Sequence, residues 1–342
     1  MEEEVVMAAS SGDAARGKNG VMVVEKVGGR STPTRCFSRY PLKLIIPSKA
    51  GVADSDAVWV YTVSFGGGIV SGDRISFDVR IGNDCTAAIK TQSSTKVYKA
   101  IGAKCSEQIL EAQVGSNALL AVLPDPVTCF AGARYSQKQI FRIVSNSNLI
   151  IVDWLTSGRH ERGEKWDFSL YKSTNNIFLE GDHPLFLDSV VLEDSMDSTV
   201  ADRMHNYQVT AMLILVGPKL KQIRNQIAND VKETMSRLLQ LPFAARSCYN
   251  KRQKSQHTIE KPDFIASCSG IGHWFGCANH GNDDRVSLQV SSPTFSMFGI
   301  PSWSSSIQLK PCSCSSGFNF MPLKCMCSCL RNNCTIGIKP KC

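Results

Sequence analysis

Short apolar-rich segments separated by turn signals follow one another from residue 21 to residue 216, and no helical periodicity interrupts them. The clearest segment alternates Ile75, Phe77, Val79 and Ile81 with Ser76, Asp78 and Arg80. A period of two marks a half-buried β-strand. Similar segments stand at 21–27, 42–46, 59–65, 106–114, 119–123, 137–144, 149–155, 166–171, 177–180, 185–192 and 208–216. Turn-forming runs separate them, among them Gly82-Asn83-Asp84, Asn146-Ser147-Asn148 and Thr174-Asn175-Asn176. Strands at such short intervals leave no room for the crossover helices of a parallel α/β sheet. The expected fold is mostly β: a many-stranded antiparallel body with one or two helices packed on it.

One helix is legible. From residue 219, Leu220, Ile223, Ile227, Val231, Met235 and Leu238 recur at spacings of three and four, and Pro242 forbids continuation. The expected domains are a flexible segment 1–34, a β domain 35–268 and an irregular Ser/Cys-rich tail 269–342. Seven of the 14 cysteines fall between 312 and 342, so the cysteine count describes the tail. The net charge of +8 is spread thinly, and Lys251-Arg252-Gln253-Lys254 is its one short basic cluster. No nucleic-acid partner is expected. The acidic Met1-Glu2-Glu3-Glu4 start and the brevity of the longest apolar run, 211–216, favour no membrane association and a cytoplasmic location.

Gly66, Gly67, Gly68 and Gly72 lead into the 75–81 strand, and a second strand after Gly82-Asn83-Asp84 completes the expected hairpin. Ser71 stands where a dinucleotide fingerprint needs its last glycine, so the glycines read as a turn needing positive φ or close approach. No GxSxG elbow or HExxH motif is present, and no catalytic role is expected. Cys312, Cys314, Cys325, Cys327 and Cys329 follow a CxC pattern that suits Zn²⁺ or Cu⁺ weakly, and the alternative function is metal buffering by this tail. Three carboxylates are placed unusually. Asp153 interrupts LIIVDWL, Asp188 interrupts LFLDSVVL, and Asp73 stands at the mouth of the 75–81 strand. Each carries a desolvation cost unless paired or hydrated. Pairing with Arg159 or Arg74 is one account. A hydrated, cation-tolerant interior is the other. An acid/base pair of Asp73 and Asp153 lacks any accompanying nucleophile.

Four motifs occur in order: FGGGIVSGD (65–73), TQSSTKVYK (91–99), PDPVTCFAGARYSQ (124–137) and DWLTSGRHERGE (153–164). Together they resemble the urease accessory protein D family, plant members especially, over roughly residues 36–268. The resemblance implies a non-enzymatic chaperone with a mostly β fold. It implies as partners the urease apoprotein and the accessory proteins F and G, the last a GTPase. It implies transient Ni²⁺, with no tightly bound cofactor, carried to the urease dinuclear site through a polar interior path. Matched by motif, Asp73, Thr95, Asp153 and Asp188 resemble path-lining positions. Gly66, Gly67, Gly68, Gly72, Gly158, Arg159, Gly163 and Glu164 carry the structural motifs. From Gly270 onward the chain departs from the family pattern, as an alternative transcript or altered reading frame would make it.

Overall fold

β-Branched and aromatic residues in period-two runs build the molecule from strands, which the computed structural model describes over residues 17–47, 56–239, 265–270 and 285–292. In chain order the strands are β1 (Gly20–Val27), β2 (Arg30–Ser38), β3 (Leu42–Ile45), β4 (Ala57–Ser64), β5 (Arg74–Ile81), β6 (Thr86–Thr91), β7 (Thr95–Val97) and β8 (Ser106–Val114). There follow β9 (Leu119–Val122), β10 (Val127–Cys129), β11 (Arg134–Ile143), β12 (Asn148–Thr156), β13 (Leu170–Leu179), β14 (His183–Leu192), β15 (Val209–Val216), β16 (Ile265–Gly270) and β17 (Arg285–Ser292). The helices are α1 (Val200–Met204) and α2 (Lys221–Leu239). α1 opens on a capping box, with Thr199 and Asp202 each accepting from the other's backbone N–H.

Two sheets face one another. The first runs β14-β13-β11-β8-β5-β1-β2. The second runs β16-β17-β15-β12-β9-β6-β4-β3, with β10 and β7 added beside β12. The expectation of a mostly β fold holds, but the antiparallel expectation does not. β5 pairs in parallel with β8, β8 with β11 and β11 with β13. In the other sheet β4, β6, β9 and β12 are also parallel. The physical reason is that a strand of the opposite sheet serves as the crossover. From β4 to β13 the chain alternates between the sheets in solenoid-like coils, so a parallel neighbour is reached without a helix. The expected hairpin of 75–81 with its successor is likewise corrected, since β5 and β6 lie in different sheets.

β5 buries Ile75, Phe77, Val79 and Ile81, while Arg74 and Arg80 stay exposed. These side chains meet Ile89, Leu120, Val122, Leu149 and Ile151 of the opposing sheet in one core. That second sheet is covered on its other face too. Ala88, Ala121, Ile150, Val152 and Leu215 pack with Leu220 and Ile227 beneath α2. Burial on both faces explains the continuous apolar run of β12. The expected helix packed on a sheet is therefore observed.

Two domain expectations need revision. The segment 1–34, expected to be flexible, carries β1, where a strand was expected at 21–27, and the first half of β2. Residues 285–292, expected to be irregular, form β17, which pairs antiparallel with both β15 and β16. The strands expected at 166–171 and 177–180 are replaced by the single ten-residue β13. Its middle, Thr174-Asn175-Asn176, is strand rather than turn.

Candidate functional site

Alternation along β12 sends Ile151 and Leu155 toward the opposing sheet and Val152 and Trp154 toward α2. Asp153 shares the face of Ile151 and Leu155, so its carboxylate points between the sheets, where it is only 9% exposed. Three donors from the facing sheet reach it. Gln137 Nε2 donates to Oδ1 at 2.7 Å, while Ser173 Oγ at 2.6 Å and Asn175 Nδ2 at 2.8 Å donate to Oδ2. Register accounts for the convergence. Gln137 and Ser173 are directly paired on β11 and β13, and Asn175 is the next inward residue of β13. Such bonds offset the cost of burying the carboxylate.

Asp153 borders two cavities. The larger, about 240 Å³, adds Tyr171, Ser173, Thr210 and Ser267 as polar lining. The smaller, about 70 Å³, adds Thr95, Gln108, Tyr135 and Gln137. Within it the Tyr135 hydroxyl donates to Gln108 Oε1 at 3.0 Å. Both spaces exceed the roughly 10–15 Å³ that one water requires, and both offer it several polar partners.

Asp188 extends the polar interior. It is half-buried on β14 and stands opposite Asn175 in register. Its Oδ2 is buried without a hydrogen-bond partner, as is Oδ1 of the fully buried Asn175. Burial first, and the nearby Asp153 charge second, raise the Asp188 carboxyl above its ordinary value.

The structure thus places Thr95 and Asp153 on the smaller cavity, sets Asp188 opposite Asn175, within reach of the Asp153 charge but lining neither cavity, and leaves Asp73 apart. Asp73 lines neither cavity, and its Oδ2 accepts from the backbone N–H of Val70 at 3.1 Å across the turn before β5. No Asp73–Asp153 acid/base pair is formed. Nor do the arginines pair as expected. Arg159 binds Glu164, with its Nε donating at 3.0 and 3.1 Å and its Nη2 to Oε1, and Arg74 meets Glu107 at 3.2 Å. The hydrogen bonds from Arg159 hold the Glu164 carboxyl below its ordinary value. Cys312, Cys314, Cys325, Cys327 and Cys329 lie outside the described residues, as does the basic cluster 251–254.

The glycine-rich motifs converge at one end of the sheets. Gly66, Gly67 and Gly72 take positive φ of 77°, 74° and 84°. Gly68 is extended, but a Cβ there would stand 2.7 Å from the Lys96 carbonyl and the Tyr98 ring. Ile69 bridges Val97, β7 pairs with β10, and β10 pairs with β12, tying the first three motifs to the fourth. Gly163 closes the turn after Arg162 in the left-handed region, and Gly158 leaves space for Glu164. Arg159 lies 4.0 Å over the Phe130 ring, which meets Tyr98 edge-on.

Gln137, Ser173 and Asn175 are the site residues that sequence reasoning missed. Their signal was a strand whose inward positions are polar: Tyr171, Ser173 and Asn175 are all buried on β13. A hydrophobic pattern cannot register a strand whose inward residues are polar.

Comparison with known proteins follows the same stretch of chain. Residues 17–260 match the family model described as UreD urease accessory protein. Urease accessory protein D of Arabidopsis thaliana is 61% identical over 253 residues, covering 74% of this chain and 86% of that protein. Urease accessory protein D of Oryza sativa subsp. japonica is 57% identical over 272 residues, covering 80% and 87%. Urease accessory protein UreD of Sorangium cellulosum is 38% identical over 206 residues, covering 60% and 64%.

Proposed function

The chain belongs to the UreD urease accessory protein family, and from that membership we propose that it passes Ni²⁺ to apo-urease through the polar interior around Asp153. The relatives are named as accessory proteins, not as catalysts, and their names support a role in urease maturation. In this reading the chain works in the cytoplasm with the urease apoprotein and accessory proteins F and G, and Ni²⁺ is its cargo.

The observation that carries the reading is the position of Asp153. One buried carboxylate borders two cavities large enough to hold water, with Asp188 opposite Asn175. Ni²⁺ accepts oxygen ligands readily. A path must attract the ion and then release it, so single carboxylates separated by hydroxyl and amide groups suit transit better than a closed cage. Among the described residues no cluster of three or more His, Cys, Asp or Glu is placed to hold a metal. Asp188 has a raised affinity for protons. A cation must compete with protons for this carboxylate, so transit should slow as pH falls.

The test is the nickel content of urease matured with Asp153→Asn, Asp188→Asn and double variants. Each single variant is expected to lower nickel per urease active site, and the double variant by about tenfold, as a lost favourable charge of roughly 1.4 kcal/mol implies. Co-purification with urease and proteins F and G should persist. Full nickel loading by the double variant would remove these residues from the path.

A further inference from the structure

Four exposed apolar side chains gather at the glycine-rich end, although neither the core nor the cavities use them. Tyr40 is 66% exposed, Phe65 48%, Val70 43% and Ile101 74%. The Tyr40 and Phe65 rings lie 5.9 Å apart. Phe65 and Val70 flank the glycine run, and the Ile101 N–H donates to Ser71 Oγ at 2.8 Å, directly after Val70. Isolated exposed apolar residues need no explanation, but a cluster does.

Exposed cations stand on the same segments, the Lys99 side chain running over Gly132. Arg39 adjoins Tyr40, and Lys96, Lys99 and Lys104 are all exposed. The Lys104 side chain runs over Gly72, 3.3 Å from where a Cβ would stand. Carboxylates close by are committed elsewhere: Asp73 accepts within its own turn, and Glu107 meets Arg74. The end therefore presents exposed apolar side chains together with exposed cations. The segments that display it are held firmly, by the Gly68 approach to Lys96 and Tyr98 and by the Tyr98–Phe130–Arg159 stack.

We propose that this end is the docking surface for a folded protein whose own face sets carboxylates beside an apolar socket. Charge complementarity selects the carboxylates, and the aliphatic Val70 and Ile101 select a protein. Phosphate backbones would satisfy the lysines but would leave those side chains in water. Protein interfaces combine apolar and polar side chains in this manner. The inference rests on the maturation reading only in taking the partner from that assembly.

The experiment measures binding of the purified full chain to apo-urease, accessory protein F and accessory protein G, each as a separate probe. Ile101→Asp and the double variant Lys99→Glu/Lys104→Glu alter the apolar and the cationic side chains. All three positions are exposed, and the double variant leaves the apolar side chains unchanged should Ile101→Asp disturb folding. The expected result is about a thirtyfold loss of affinity for one probe, as for a central interface residue, with the other two probes unaffected. Wild-type binding to that probe should also weaken with salt. Unchanged affinity of the double variant for every probe that the wild type binds would overturn the docking surface alone. So would a charge-dependent loss confined to single-stranded RNA or phosphatidylserine vesicles. A wild-type chain that binds none of the three probes would overturn the maturation reading, and this proposal with it.

Discussion

At Asp188 a carboxylate oxygen is buried without a hydrogen-bond partner, and Asp153 adds a like charge. Its folded pKa lies above the unfolded value near 3.9. Ionisation therefore costs stability, and that cost is present above the folded pKa and absent below the unfolded one. Asp188→Asn should raise the thermal midpoint of the chain at pH 7 and lose that gain as the pH falls toward about 4. A gain independent of pH would mean that charge is not the cause. Neighbouring glycines separate two other effects. Gly66 has a φ of 77° and open space around it, so Gly66→Ala should cost about 1–2 kcal/mol, and Gly66→Asn less, because asparagine tolerates that backbone. Gly68 is extended but crowded by Lys96 and Tyr98. Gly68→Ala should cost about 1–3 kcal/mol through overpacking, with no relief from asparagine. Urea unfolding of the four variants decides the matter, and rescue of Gly68 by asparagine would contradict the packing account. The glycines and Asp153 were legible residue by residue, because each breaks a local pattern. Gln137, Ser173 and Asn175 were not, since their meaning comes from facing Asp153 across the sheets.

Among elements, β13 shows how a functional strand escapes pattern reading. Its apolar ends were recognised and its polar middle was taken for a turn, yet the polar middle is what lines the site. β12 was found as an apolar run, and its burial between the opposing sheet and α2 explains why no alternation was visible there. The last strands pose a separate question. β16 hydrogen-bonds to β17, and β17 to β15. Ser267 of β16 also lines the larger cavity. Deleting residues 271–342 removes β17, so amides of β16 and the facing edge of β15 should lose hydrogen-exchange protection while β5, β8 and β11 keep theirs. Protection of β16 equal to that in the full chain would show that α2 alone holds it. The family match ends at residue 260, so both strands lie beyond it.

For the whole molecule, the sheet-to-sheet coil was recorded in the sequence as a weak repeat. Ile81-Gly82-Asn83-Asp84, Val114-Gly115-Ser116-Asn117 and the turn after Ile143 occupy equivalent places, and Ile81, Val114 and Ile143 are in register. Side chains link the stacked turns: Asn83 Oδ1 accepts from the Ser116 N–H at 2.8 Å, and Asn146 Nδ2 donates to Ser116 Oγ at 2.9 Å. Such a repeat is the signature of stacked coils. Strand content, the α2 face, the glycine turns and the embedded carboxylates were determined by the sequence alone, because each depends on residues a few positions apart. Parallel pairing, the placing of Thr95 and Asp153 on one cavity with Asp188 opposite Asn175, and the exclusion of Asp73 were decided by tertiary structure. Those outcomes depend on which sheet each strand joins, and that choice follows from burying one face of every strand at once. No local pattern contains it.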